Sequence, residues 1–260
     1  MLTEERRREA ADRLWAAELE RRPIDPLIET YPGIDVVDAY EIQLLNIRRR
    51  LAAGGAVKGH KVGLSSKAMQ QMMGVDEPDY GHLLADMELR EDEPVLASAY
   101  CRPRVEVEVG FVLGADLPGE DCTEADVLAA TERVVPSLEL IDSRIADWRI
   151  KLADTIADNA SSAGYVIGEG RSPEGLDLKA IDATLYRAGE TIVSGRSDAV
   201  LGDPVIAVAW LARKVASFGV RLQAGHVVLP GSCTRAIDVA AGETYTADFT
   251  GLGSVSLTFK

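Results

Sequence analysis

The sequence predicts an α+β fold, with a mostly helical segment over residues 1–56 and a β-rich domain over residues 57–260. Three observations predict it. Two stretches before residue 56 carry helix caps and helical spacing of apolar residues. The middle of the chain interleaves alternating segments with capped helices, and the last third is dense in β-formers and Gly turns. A length of 260 residues corresponds to one or two domains at about 150 residues each, large enough to bury a core without disulfide or metal staples.

Thr3 can cap a helix that runs to about residue 22, where Pro23 and Pro26 end it. After Pro32-Gly33, Asp35 caps a second helix in which Tyr40, Leu44, Ile47 and Leu51 recur at helical spacing, and Gly54-Gly55 stops it. Residues 57–64 read as a strand. Ser66 opens a short helix stopped by Gly74, with Met69, Met72 and Met73 as adaptable core filling, and Pro78-Asp79-Tyr80-Gly81 reads as a loop. Residues 104–113 alternate as a strand. Thr123 caps a helix expected to reach about residue 134, and residues 137–142 form a short strand. A hairpin turns at Ala188-Gly189-Glu190. Asp203 and Pro204 begin a helix that ends at Gly219, and residues 227–259 are β-structure. There is no internal repeat or low-complexity segment.

Lys and Arg number 28 against 42 Asp and Glu, a net charge of −14. That balance argues against nucleic acid, because Arg6 to Arg8 and Arg48 to Arg50 are diluted by acidic neighbours. An acidic substrate would need a metal or local cations to overcome the overall field. Cys101, Cys122 and Cys233 are odd in number and widely spaced, as suits reduced thiols, and no CxxC or Cys/His zinc spacing occurs. The charged N-terminus and the lack of any long apolar run point to a cytoplasmic protein that does not enter the membrane.

The most informative stretch is Arg104-Val105-Glu106-Val107-Glu108-Val109. Strand alternation puts the valines on one face and Glu106 and Glu108 on the other, a few ångströms apart, where they repel unless water or a cation intervenes. An edge strand with a solvated acidic face is the competing interpretation. Glu139 tips the balance, since it lies between Leu138 and Leu140 in a segment too apolar for an ordinary surface. Together Glu106, Glu108 and Glu139 would make an all-oxygen site for a hard divalent cation, Mg²⁺ or Mn²⁺. In residues 57–64, Lys61 shares its strand face with Gly59 and Gly63, which leaves room beside the ammonium for an anion, or it is simply a lysine beside turn glycines. The segment 154–162 is either a capped loop or a platform presenting Asn159 and Ser161 to a ligand, and Asp79 in its loop is a carboxylate available for proton transfer. Gly231-Ser232-Cys233-Thr234-Arg235 stays open between a turn and a ligand-facing loop. His60, His82 and His226 lack an obvious acid–nucleophile constellation, and there is no Gly-x-Ser-x-Gly elbow, which argues against a serine triad. From these residues alone the chemistry is that of a metal-dependent enzyme acting on a small oxyanion.

These segments resemble the 2-keto-4-pentenoate (2-hydroxypenta-2,4-dienoate) hydratases of the fumarylacetoacetate hydrolase superfamily. The resemblance runs through Gly59-His60-Lys61-Val62-Gly63-Leu64-Ser65-Ser66, Pro103-Arg104-Val105-Glu106-Val107-Glu108, Asp142-Ser143-Arg144-Ile145-Ala146-Asp147-Trp148, Ala157-Asp158-Asn159-Ala160-Ser161 and Gly251-Leu252-Gly253-Ser254-Val255. The first two segments also fit the sister 4-oxalocrotonate decarboxylases, whereas residues 143–151 look more like the hydratase form. The resemblance implies a mixed β-sandwich roll of the fumarylacetoacetate hydrolase C-terminal type over residues 57–260, and a metal at Glu106, Glu108 and Glu139. It also implies Lys61 and Asp79 as catalytic residues, Ser161 and Asn159 as substrate-binding residues, and a homo-oligomer. The implied activity is that of a hydro-lyase in the meta-cleavage catabolism of aromatics or steroids. Ketonisation with protonation at carbon 5 of a 2-hydroxy-2,4-dienoate is followed by water addition at carbon 4, giving a 4-hydroxy-2-oxo acid. The alternatives are 4-oxalocrotonate decarboxylation at the same site, and a non-catalytic partner subunit in a complex with the sister decarboxylase.

Overall fold

The structure is a computed structural model that describes residues 1–260 except 68, 69, 72 and 73. The helix expected between Ser66 and Gly74, with its Met69, Met72 and Met73, therefore lies in part outside the described residues. Helix α1 (Glu4–Glu20) starts where Thr3 accepts the Arg6 N–H at 3.3 Å. A single unexpected turn, α2 (Leu27–Thr30), follows Pro26. Helix α3 (Val36–Ala52) begins with a reciprocal capping box between Asp35 and Asp38. Tyr40, Leu44 and Ile47 are buried on its inner side, whereas Leu51 points outward. Asp38 also binds α1 to α3, because its buried carboxylate accepts the Leu2 N–H at 2.8 Å and pairs with Arg7 at 2.7 Å.

The strands are β1 (Val57–Gly63), β2 (Asp79–Leu84), β3 (Arg104–Leu113), β4 (Thr131–Ile141), β5 (Ser162–Ile167), β6 (Asp182–Arg187), β7 (Glu190–Arg196), β8 (Val227–Leu229), β9 (Ile237–Asp238), β10 (Thr244–Phe249) and β11 (Gly253–Thr258). Among the described residues they form two sheets. One runs β2-β1-β8-β3-β4-β5, with β9 on β3, and the other runs β11-β10-β6-β7. The β1–β8 pair is parallel and the remaining ladders are antiparallel. The second sheet packs on the β3–β5 part of the first, a mixed β-sandwich roll as the resemblance implied. Of Pro78-Asp79-Tyr80-Gly81, expected as a loop, the last three residues open the buried edge strand β2 (Asp79–Leu84).

Among the described residues, α4 (Glu124–Ala130), α5 (Leu152–Ala157) and α6 (Pro204–Ala216) lie in the connections, the last capped by Asp203. The helix expected to reach residue 134 stops at Ala130, and β4 begins at Thr131 rather than at 137. Val134 and Val135 are β-branched, Pro136 disfavours helix at the residue before it, and β3 offers a ladder from Leu113↔Thr131 onward. One core joins Leu14 of α1 and Tyr40 of α3 to Val105, Val107 and Val109 of β3 and to Tyr245 of β10. Among the described residues no helix is long and apolar enough to cross a membrane.

Candidate active site

Strand β3 positions two of the acids as alternation requires. Val105, Val107 and Val109 enter the core, and Glu106 and Glu108 project from the other face. Register brings the third, because Glu106 lies opposite Glu139 on β4. Carboxylate oxygens of Glu106, Glu108 and Glu139 lie within 4.8 Å of one another, with Glu106 half-buried and the other two fully buried. One Glu108 oxygen accepts the Gly231 N–H at 2.7 Å. Its other oxygen and Glu139 Oε1 have no hydrogen-bond partner, and Glu139 Oε2 has only the distant Lys61 ammonium at 3.5 Å. Buried carboxylates left unpartnered in this way need a cation or protons. Burial raises Glu139 to about 7, against the opposing field of Lys61. Burial also lifts Glu108 well above the usual carboxylate range, with Glu139 and Glu106 adding to it. The three residues thus fit a hard, oxygen-seeking divalent cation.

Lys61 projects from β1 onto the same cluster. Its ammonium donates to the Ala160 carbonyl at 2.9 Å and lies 3.5 Å from Glu139. Burial works against its charge, but Glu139, Asp79, Glu106 and Glu108 outweigh that and hold its pKa above the ordinary lysine value. The free room expected at Gly59 and Gly63 is filled. A Cβ on Gly59 would sit 1.8 Å from the Val227 carbonyl oxygen, because β8 pairs there. A Cβ on Gly63 would sit 2.2 Å from Asp79 Oδ1 and 3.1 Å from Lys61 Nζ. The missing side chain at Gly63 therefore lets the lysine and the aspartate share one space, with no separate anion cradle. Asp79 accepts from the Thr155 hydroxyl at 2.7 Å through Oδ2, and its Oδ1 has no partner.

The segment after α5 makes a tight turn in which Asn159, Ala160 and Ser161 have φ of 54°, 50° and 57°. Left-handed backbone at non-glycine residues costs about 1–3 kcal/mol each, and buried polar groups hold the turn in place. Arg144 donates from Nε to Asp158 Oδ1 at 2.5 Å and from Nη2 to the Asp158 carbonyl at 2.6 Å. The Ser161 carbonyl accepts the Asp142 N–H at 2.8 Å. The turn presents the Ala160 carbonyl to Lys61 and leaves the buried Ser161 hydroxyl unpartnered. Asn159 differs from the ligand-facing role expected of it. Its Oδ1 accepts the His82 N–H at 2.8 Å and its Nδ2 donates to the His82 carbonyl at 2.9 Å, so both ends of the carboxamide are committed to β2.

Sequence reasoning missed Thr155, the Arg144–Asp158 pair and the Gly231 N–H, each a long-range partner with no local signature. The Gly231-Ser232-Cys233 loop is a clamp on β3: Cys233 N–H donates to the Val107 carbonyl at 2.8 Å. Burial raises the Cys233 thiol to about 12, which leaves it protonated and no nucleophile.

The chain belongs to the fumarylacetoacetate (FAA) hydrolase C-terminal family, which matches residues 54–260, the stretch that carries the sheet and its three carboxylates. Within that family it is similar over its full length to proteins named as hydratases and, in structure, to a decarboxylase. It is 45% identical over 260 residues to a 2-keto-4-pentenoate hydratase of Paraburkholderia xenovorans (strain LB400), covering 100% of this chain and 97% of that protein. It is 42% identical over 250 residues to a 2-hydroxyhexa-2,4-dienoate hydratase of Comamonas testosteroni, covering 95% of each. The structure superposes with a TM-score of 0.96 and 35% identity on 4-oxalocrotonate decarboxylase from Pseudomonas putida G7 complexed with magnesium and adipate, covering 100% of this chain and 99% of that one.

Proposed function

We propose that the chain is a divalent-metal-dependent hydro-lyase that converts 2-hydroxypenta-2,4-dienoate, or a longer homologue, to the 4-hydroxy-2-oxo acid. The observation that carries this is the convergence of Glu106, Glu108 and Glu139 within 4.8 Å, with unpartnered oxygens, beside the Lys61 ammonium. Full-length identity of 45% to a named hydratase supports the reaction class.

In this proposal Glu106, Glu108 and Glu139 hold Mg²⁺ or Mn²⁺, which supplies a Lewis acid for the charge that develops on the substrate oxygens. An ammonium has three donors. Lys61 spends one on Ala160 and faces Glu139 with another, so one remains to pair with the substrate carboxylate. Asp79 is held by Thr155 through one oxygen and keeps the other free over Gly63. It is the residue to move the proton for ketonisation and to orient the water that adds at carbon 4. The Ser161 hydroxyl donates to a substrate oxygen. Asn159 acts one step back by holding β2 in place.

The near-identical fold of the decarboxylase favours a second reading, loss of carbon dioxide from 4-oxalocrotonate at the same site. That substrate carries a second carboxylate and needs a further cationic or polar partner for it. We also propose a division at residues 1–56 and 57–260, supported by the family match that begins at residue 54. A homo-oligomer, as in the resemblance, is part of the same proposal. Association with a sister decarboxylase and a cytoplasmic location complete the proposal; three reduced thiols suit that compartment.

The test is anaerobic ultraviolet and product analysis of the metal-stripped chain, given Mg²⁺ or Mn²⁺ and fresh 2-hydroxypenta-2,4-dienoate. Metal-dependent loss of the dienol band with formation of 4-hydroxy-2-oxopentanoate is expected. Carbon dioxide from 4-oxalocrotonate with no hydration would favour the decarboxylase. Silence with both, and with longer dienoates, would point to a non-catalytic subunit.

A further inference from the structure

The opposite face of β1 and β2 carries a second constellation. His60 on β1 lies directly across from His82 on β2, just as Lys61 lies across from Gly81 on the active-site side. The His60 ring centroid is 4.8 Å from that of His82 and 5.7 Å from that of His226. These three rings line a cavity of about 490 Å³ between α3, the two strands and residues 218–226. That volume lies in the range of small-molecule pockets, and none of Lys61, Asp79 or the three glutamates lines it.

His60 is 2% exposed, and neither of its ring nitrogens has a partner. A neutral imidazole carries one donor and one acceptor, and a native interior rarely leaves both unanswered. The neighbouring rings are fixed. Gln43 gives both N–H groups to the Tyr80 and Ile156 carbonyls, so its oxygen is the acceptor for His82 Nδ1 at 2.8 Å. His226 Nδ1 accepts the Gln223 N–H at 3.2 Å, which puts its proton on Nε2. Burial lowers all three histidines, His82 to about 4, so the floor of the cavity is neutral. Charge is supplied at the rim. Arg221 makes no ion pair among the described residues, and Arg48 has only Glu41 at 3.9 Å. At His226 itself the Asp116 carboxylate acts more strongly than Lys58, which opposes it, so the cationic side of the rim is that of the two arginines. The walls, with Leu44, Ile47 and Phe218, are apolar. In a chain of net charge −14, this sets two arginines, Arg48 and Arg221, beside the His60 and His226 rings and an apolar body.

We propose that this cavity is a second binding site, for a small carboxylate on an apolar or aromatic body, separate from the acid cluster and back to back with it across β1 and β2. The carboxylate meets Arg48, Arg221 and the N–H groups of His60 and His226, the His82 proton being committed to Gln43, and the apolar part rests on Leu44, Ile47 and Phe218. The inference does not depend on the reaction proposed above.

The protein has three histidines, all lining this cavity, so imidazole NMR resonances of the full chain report on it alone. Benzoate is the probe and benzyl alcohol the uncharged control. Benzoate is expected to shift the imidazole resonances saturably at millimolar concentrations, with benzyl alcohol clearly weaker. Arg221→Gln, an exposed side chain, is expected to weaken benzoate about threefold, as loss of one exposed ion pair does, and the response should persist in Glu106→Gln. Unmoved imidazoles, an equal response to benzyl alcohol, or no change in Arg221→Gln would overturn the proposal. A response abolished in Glu106→Gln but intact in Arg221→Gln would put benzoate at the acid cluster and overturn it equally.

Discussion

The ammonium of Lys61 and the free oxygen of Asp79 meet over the bare Gly63, and each has a second anchor, Ala160 for one and Thr155 for the other. Lys61→Met is therefore expected to lower turnover by about 100-fold or more with metal still bound, whereas Glu106→Gln should abolish metal binding and activity together. Isothermal titration beside a steady-state assay separates the two, and unchanged turnover in Lys61→Met would sink its role. Thr155→Val should lower kcat by about tenfold, roughly 1.4 kcal/mol, with little change in KM, and Thr155→Ser should restore it. The acids also set a pH dependence. Burial raises Glu139 to about 7 and Glu108 well above its ordinary value, so the metal-free folded chain holds protons that the unfolded chain has lost. The sign follows: stability of the metal-free chain falls as pH rises from the ordinary carboxylate range through about 7. Metal must displace those protons, so its affinity weakens as pH drops below about 7. Calorimetry in buffers of different ionisation enthalpy reads the released protons directly. The acid cluster was legible in the sequence because two of its members obey strand alternation and the third sits implausibly between leucines. Thr155 was not, nor was the bracing of β2 by Asn159, since a side chain's partner 76 or 77 positions away leaves no local trace.

At the scale of elements, the site is built by β3 and β4 and corrected by loops. The clamp at Gly231 is the clearest case: its φ is 127°, and a Cβ there would lie 1.8 Å from the Ser65 hydroxyl oxygen. Gly231→Ala should cost about 1–3 kcal/mol from backbone strain alone and loosen Glu108. Denaturant titration and metal affinity measured on the same variant test both halves. The helices at Thr3, Asp35 and Asp203 were legible because a cap and a stop are local chemistry. The passage from α4 to β4 was not. Residues 131–134 have no strong stop signal of their own, and pairing with β3 decides their conformation.

For the molecule as a whole, the helical segment and the sandwich are not independent, because Leu14 and Tyr40 lie in the same core as Val105 and Tyr245. A chain lacking residues 1–56 should therefore fail to fold to a rigid state, which near-ultraviolet circular dichroism and a lost cooperative thermal transition would reveal. The two long N-terminal helices, β1, β3 and the helix at Asp203 could be anticipated from pattern, but this shared core could not, because pattern says which face is apolar and not what covers it. The outer edge of β2 holds a last consequence. Gln43 donates to the Tyr80 carbonyl, and Asn159 takes both backbone groups of His82. Two carboxamides thus occupy the hydrogen-bonding positions that an intruding chain would need, the protection against aggregation that an unguarded border strand lacks. When heat loosens α3 and the 159–161 turn, that protection goes first, and chains should begin to associate border to border while their sheets are still intact.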